Sequence, residues 1–231
     1  MQLTFTFERE PVLLKIRNRL VQIYGQQRDE LRHEPTPQWV KAMISSRTFD
    51  LVSDGAFARL STLRSWDRLA QMEASEIEPI ICDVTFAQNK AIHFVKSAQI
   101  IKRRRGMVEL DFLAGWPTQV AFDWLTNLPG TGPKVAGVTL NFSTLRKPVF
   151  AIDTHVLRIL WRLDLVPNEH NFKRGYISLS RLIPNNWDAD DLYELHWLMK
   201  SLGQNICTHR WPRCDCCPLA SFCPTAARMQ P

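Results

Sequence analysis

Lys134 stands directly after the turn Leu128-Pro-Gly-Thr-Gly-Pro133, where two helical patterns meet with almost nothing between them. Glycines at 130 and 132 leave the backbone of this turn bare, and Pro133 suits the first position of a new helix. The free amides of that helix and of the turn therefore converge on a point that favours an anion. An ammonium is disfavoured at the positive end of a helix dipole, so the setting suits Lys134 to act as a neutral nucleophile. The alternatives are a lysine that pairs with a phosphate, or one that is solvated on the helix surface. Asp153, in the stretch Ala151-Ile-Asp-Thr-His155, precedes the apolar-periodic run Val156, Leu157, Ile159 and Leu160. It is placed to cap that helix, and its carboxylate is also available for chemistry.

A second chemistry lies near the far end of the chain. Of six cysteines, Cys82 stands apart and the other five crowd between Cys207 and Cys223. The spacing Cys207-x6-Cys214-x2-Cys217-x5-Cys223 lets four thiolates on one short segment wrap a compact metal centre, either zinc or an iron–sulfur cluster. Zinc ribbons generally separate two close Cys pairs by a longer insert, which this spacing lacks. Cys216 is read as a non-ligand. Arg210 and Arg213 lie on the loop between the first two cysteines, where they are placed to meet a phosphate backbone.

The elements that must position these groups read as helices throughout. Apolar residues recur at helical spacing from Glu8 to Tyr24, after a short arm at Met1 to Phe7. A second helix is predicted from a Thr36 cap with Pro37 at its first position, and another over 51–60 after the polar break Ser45-Ser-Arg-Thr-Phe-Asp50. Ser65 is predicted to cap a short helix over 66–72, and Ser75 with Glu78 to form a capping box for another over 76–82. A longer helix over 90–102 ends in the basic run Lys102 to Arg105. Helices over 118–127, from Pro133, and over 154–163 flank the central turn, followed by 172–182 and by 190–202 ended at Gly203. No paired strand and no internal repeat is apparent, so the fold class is all-α.

At 231 residues the chain is long enough for one large or two small domains, and its formal charge of +6 suits a polyanionic partner. Nothing reads as a membrane span or secretion leader, which predicts a soluble, cytoplasmic protein without a membrane partner.

The turn ending at Lys134, the segment Ile-Asp153-Thr-His-Val-Leu-Arg158 and the cysteine tail together resemble the endonuclease III branch of the helix-hairpin-helix DNA glycosylases. The match in order and spacing runs from about Trp39 to Cys223 and is most specific in its second half. The resemblance implies two helical lobes with a DNA-binding cleft between them. A six-helix barrel holding the hairpin would span 28–146, and a lobe made of 1–27 and 147–231 would hold a [4Fe–4S] cluster on Cys207, Cys214, Cys217 and Cys223. It makes Lys134 the catalytic lysine and Asp153 the catalytic aspartate. Leu128, Gly130, Gly132, Arg47, Phe86, Gln88, Arg210 and Arg213 become DNA contacts, with Phe86 as a wedge that fills the gap left by an extruded base, unless it is core.

The implied activity is a monomeric base-excision enzyme, nucleoid-associated in a bacterium. It would remove a damaged or modified pyrimidine from duplex DNA and then nick the abasic site through a Schiff base on Lys134. Two departures bear on the choice of base. Arg47 occupies a position where the family usually has Gln, and Phe86-Ala-Gln88 replaces the usual Leu-Tyr-Asn. Three other readings follow from the same residues: a non-catalytic, cluster-bearing damage sensor, a glycosylase for a methylated or mismatched pyrimidine, and a zinc-stabilised structural domain.

Overall fold

The computed structural model describes residues 11–27, 31–167 and 172–229. The arm at Met1 to Phe7 and the expected helix start at Glu8 lie outside the described residues. The α-helices are α1 (Val12–Tyr24), α2 (Pro35–Ser45), α3 (Asp50–Ser61), α4 (Ala74–Ile77), α5 (Ala87–Arg105), α6 (Thr118–Thr126), α7 (Pro133–Phe142), α8 (Thr154–Arg162), α9 (Phe172–Ser180), α10 (Ala189–Asn205) and α11 (Pro224–Met229). Short 3-10 turns join several of them, and no strand occurs among the described residues. The all-helical expectation is borne out.

Backbone contacts divide the chain into two compact units. One comprises Met1–Arg28, Ile152–Trp187 and Glu194–Pro231, and the other Asp29–Ala151 and Asp188–Tyr193. In the latter, α2 and α5 carry the core. Trp39 and Phe94 are both fully buried, and their rings meet edge to face with centroids 5.9 Å apart. Helix α5 turns Ala91, Phe94, Ala98 and Ile101 inward, the i, i+3, i+7 spacing of an apolar stripe. Arg32 donates to the Asn141 carbonyl at 2.6 Å and pairs with Asp190 at 2.7 Å, which holds the chain entering α2 to the end of α7 and the start of α10.

In the first unit, α1 buries Leu13, Ile16 and Leu20. Helix α8 buries Val156, Leu157, Ile159 and Leu160. Arg17 of α1 pairs with the nearly buried Glu194 of α10 at 2.5 Å.

Several boundaries differ from the sequence expectation for identifiable reasons. Helix α2 starts at Pro35, not after a Thr36 cap, because Pro35 itself takes the first position and the Thr36 hydroxyl instead accepts from the Leu110 amide at 2.9 Å. The capping box is built by Glu73 and Glu76, two residues earlier than Ser75 and Glu78, and Pro79 lies in the 3-10 turn that follows. Gly203 does not end α10, which continues to Asn205. That glycine serves packing: a Cβ there would meet the His155 side chain at 2.7 Å and Arg158 at 3.1 Å.

Candidate active site and cysteine segment

The central turn is built as its residues dictate. Helix α6 stops at Thr126, and α7 begins at Pro133 with Gly132 as its extended N-cap residue. Gly130 has φ +75°, and a Cβ on it would approach the His93 ring atoms to 2.8–2.9 Å, so both conformation and space require glycine. Gly132 differs: nothing lies within 4 Å of where its Cβ would be. The turn is moored from two sides. The Trp39 indole N–H donates to the Thr131 hydroxyl at 2.9 Å, and the Ser97 hydroxyl donates to the Pro129 carbonyl at 2.7 Å. Leu128 is buried beneath the turn.

Lys134, half-buried in the first turn of α7, donates from Nζ to the Ser45 hydroxyl at 2.8 Å. It is therefore not a solvated surface lysine. Beside that contact lies a buried lysine that sequence reasoning missed. Lys90 donates from Nζ to the carbonyls of Ile44 at 2.6 Å and Ser46 at 2.7 Å, and to the Thr48 hydroxyl at 3.2 Å. These acceptors are the end of α2 and the break that follows it, where helical carbonyls lack partners of their own. Burial, and then the positive charge of Lys134, lower the Lys90 pKa to about 8. A lysine on the inward stripe of α5 was the available signal, since Lys is rarely buried without a dedicated set of partners.

The same break carries Arg47, whose φ of 56° is left-handed, and Phe86 before α5 is left-handed too, at φ 60°. The Arg47 guanidinium lies over the Phe86 ring, 5.9 Å from its centroid. Phe86 is 55% exposed, so it is not a core residue. Gln88 is exposed in the first turn of α5. Left-handed backbone in non-glycine residues costs roughly 1–2 kcal/mol each, and strain of this kind concentrates at functional sites.

In the first unit, Asp153 does cap α8: its Oδ1 accepts from the Val156 amide at 2.8 Å. The carboxylate is only half-buried. Nearby, the Tyr176 hydroxyl accepts from the Ile152 amide at 3.1 Å. Burial pushes the Tyr176 pKa well above its usual range and the Asp153 charge adds to the rise, while the Ile152 hydrogen bond opposes it. Tyr176 stays a neutral phenol beside the cap.

Helix α8 also organises the cysteine segment through two buried arginines that sequence reasoning left unassigned. Arg158 donates to the carbonyls of Cys207 at 2.9 Å and Gly203 at 2.8 Å. Arg162 donates to the Cys207 sulfur at 3.1 Å and to the carbonyls of Thr208 and His209 at 2.8 and 2.9 Å. Their i, i+4 spacing on a helix face that is otherwise apolar was a legible sign of buried partners.

Cys207, Cys214, Cys217 and Cys223 are all half-buried, whereas Cys216 is exposed. Burial pushes the Cys217 thiol up to about 11; Cys207, Cys223 and Cys214 add to the rise, and a backbone hydrogen bond at Leu219 opposes it. The Cys214 thiol is raised by burial and then by Cys207 and Cys223. Cys216 contributes to neither rise. The donor set is four thiols on one short segment, with the Arg162 guanidinium on the Cys207 sulfur to offset negative charge. The Tyr24 hydroxyl, buried and with no hydrogen-bond partner among the described residues, adds a spare donor in the field of Cys217. Among the described residues, no three His, Cys, Asp or Glu side chains form a group able to hold a single metal ion. The residues suit a thiolate-ligated centre.

On the loop after Cys207, Trp211 is 83% exposed and Arg210 is exposed. Arg213 turns back to donate to the Asn205 carbonyl at the end of α10, at 2.5 Å. The structure gathers Lys134, Arg47, Phe86, Gln88 and the glycine turn in one unit, and Asp153, the four cysteines, Arg210 and Arg213 in the other. No described helix is long and apolar enough to cross a membrane.

Known proteins share this plan. Endonuclease III-like protein 1 of Gallus gallus is 34% identical over 188 residues, which cover 80% of this chain and 62% of the relative. Endonuclease III of Sulfolobus acidocaldarius is 28% identical over 157 residues, covering 68% of this chain and 66% of the relative. The chain thus spans less than two thirds of the length of the Gallus gallus protein. A solved structure of a trapped endonuclease III–DNA covalent intermediate superposes with a TM-score of 0.77 at 22% identity, covering 95% of this chain and 98% of that one. The family model of the HhH-GPD superfamily base excision DNA repair proteins matches residues 40–184, well over half of the chain. With the helical fold and the turn already in place, that match is decisive: the chain belongs to the HhH-GPD superfamily of base excision DNA repair proteins.

Proposed function

We propose that this protein excises a damaged or modified pyrimidine from duplex DNA and then cleaves the abasic site by β-elimination. The observation that carries the reading is Lys134, half-buried in the first turn of α7 directly after the glycine turn, with its Nζ on the Ser45 hydroxyl. An amine fixed at the positive end of a helix dipole is suited to act as a nucleophile. Endonuclease III relatives among the similar proteins support the same chemistry.

The substrate nucleotide must leave the stack before its sugar is accessible, at a cost of a few kcal/mol. Phe86, exposed and stacked by Arg47, is suited to fill the vacated space. The open side of Gly132 and the amides of the turn are suited to a backbone phosphate. The neutral Lys134 amine attacks the sugar C1′ as the glycosidic bond breaks, and the bonding pair leaves with the base, which is protonated. The Asp153 carboxylate stabilises positive charge developing on the sugar. Opening of the sugar ring yields a Schiff base between Lys134 and C1′. Loss of a proton from C2′ then drives the electron pair toward C3′, and the C3′–O bond to the phosphate breaks.

Cys207, Cys214, Cys217 and Cys223 would hold a [4Fe–4S] cluster, which when bound supplies structural cross-linking and a redox-sensitive centre rather than a reacting group. Arg210, exposed on the adjoining loop, is suited to a phosphate of the same duplex.

Borohydride reduces the Schiff base to a stable amine and so provides the test. Purified protein incubated with duplexes carrying single lesions should give a covalent adduct and strand cuts without alkali, and Lys134→Ala should abolish both. Trapping no better with wild type than with Lys134→Ala overturns the assignment. Damage-dependent binding without product on every lesion would favour the non-catalytic sensor.

A further inference from the structure

We infer that the Tyr24 hydroxyl is a built-in hydrogen-bond donor to the thiolate-ligated centre, on its Cys217 side, and that it raises the reduction potential of that centre. This rests on the four cysteines holding an iron–sulfur cluster.

A buried O–H without an acceptor is costly, because nothing repays the water it gave up. Tyr24 is the last residue of α1, and its hydroxyl is buried with no hydrogen-bond partner among the described residues. The backbone that carries this phenol is fastened on every side. The Tyr24 carbonyl accepts from the Gln27 side chain at 3.0 Å. The Gln27 amide donates at 3.1 Å to Glu194, the carboxylate that Arg17 of α1 also holds at 2.5 Å. Gly25, at φ +72°, donates its amide back to the Val21 carbonyl and closes the helix.

Helix α1 also meets the cysteine segment directly. Lys15 Nζ stands over the Phe222 ring, 4.3 Å from its centroid, and Phe222 immediately precedes Cys223. At the other end of the helix, burial raises the Tyr24 pKa, the charges of Cys217 and then Cys216 raise it further, and Arg213 opposes them. The phenol therefore keeps its proton at neutral pH and remains a donor. Other donors on this segment are already assigned. Arg162 serves the Cys207 sulfur, Arg213 donates to the Asn205 carbonyl, and the Leu219 amide serves Cys217. Of the two cysteines whose charge reaches Tyr24, Cys216 is exposed and directs its thiol to the Arg213 carbonyl at 3.6 Å. Cys217 is half-buried, and a thiolate sulfur can accept more than one hydrogen bond.

A hydrogen bond to sulfur stabilises negative charge, and a reduced cluster carries one more electron than an oxidised one. The Tyr24 donor thus favours the reduced state without transferring a proton or an atom. Hydrogen bonding to the sulfurs is among the features that set such potentials.

The experiment is a mediated redox titration of the purified, iron-loaded protein, followed by visible absorption and electron paramagnetic resonance. It compares wild type, Tyr24→Phe and a chain carrying fluorotyrosine at position 24. Phenylalanine keeps the ring and loses only the oxygen, whereas the fluorinated phenol is a stronger donor. Iron per chain should be equal in all three. Held at the wild-type midpoint potential, Tyr24→Phe should show an oxidised-to-reduced ratio raised roughly fivefold, the size of one net hydrogen bond. Fluorotyrosine should move the midpoint in the opposite direction. If Tyr24→Phe loses its iron, the fluorotyrosine chain decides alone, by the sign of its shift. A tyrosine that only packs, or whose hydroxyl bonds to a buried water, gives one midpoint for all three chains; that result overturns the inference and leaves the cluster in place. Wild type that carries zinc and no iron overturns the cluster reading itself.

Discussion

The indole N–H of Trp39 donates to the hydroxyl of Thr131 across the core, at 2.9 Å with both groups buried. A core tryptophan of α2 therefore fixes the middle of the central turn, and packing and chemistry are coupled through one hydrogen bond. Trp39→Phe should leave the Thr131 hydroxyl without its donor and cost about 1–3 kcal/mol. Urea unfolding would give the stability loss. Adduct formation should fall as well, because the turn that carries Lys134 loses its mooring.

The two glycines of the turn should separate folding from binding. Gly130→Ala meets both a left-handed φ and the His93 ring, and it should destabilise the protein by more than about 1 kcal/mol. Gly132→Ala faces open space with an ordinary φ, and its melting temperature should stay near wild type. If a phosphate approaches that side, Gly132→Ala should weaken binding to abasic duplex. Unchanged affinity for Gly132→Ala would remove this glycine from the DNA contacts.

Asp153→Asn should keep the cap and lose the charge. Asn caps helices about as well as Asp, so stability should barely change. Base excision should fall by about 10²–10³-fold, the range seen when a group stabilising transition-state charge is removed. Excision and thermal melting measured on the same preparation would decide it. Near wild-type excision would reduce Asp153 to a cap.

Metal analysis should show iron, not zinc, in the purified protein. Cys217→Ser or Cys223→Ser should lose most of the iron and the visible absorption, whereas Cys216→Ser should keep both, since Cys216 is exposed while the other four are half-buried. Zinc at one equivalent with no iron would move the segment to a structural zinc site.

Much of this was legible in the sequence where a residue has few conformational options. Pro133 and the glycines before it mark the end of α6 and the start of α7, and the periodic Val156, Leu157, Ile159 and Leu160 mark α8 with Asp153 ahead of it. Legibility falls where a residue has two uses. Thr36 looks like a cap but serves a distant amide, and Gly203 looks like a stop but makes room for His155. The buried cations were the least legible. Lys90, Arg158 and Arg162 interrupt apolar stripes, and their meaning rests on carbonyls far away in sequence that only the folded chain brings to them.

Arg47 and Phe86 hold left-handed backbones with stacked side chains before any duplex arrives. Segments that already occupy one narrow conformation surrender little entropy on docking, so more of the contact energy remains for prying a nucleotide loose. Such a preset probe also yields little to the contour of what it meets, and a well-stacked base pair that resists opening is left intact where a weakened one gives way.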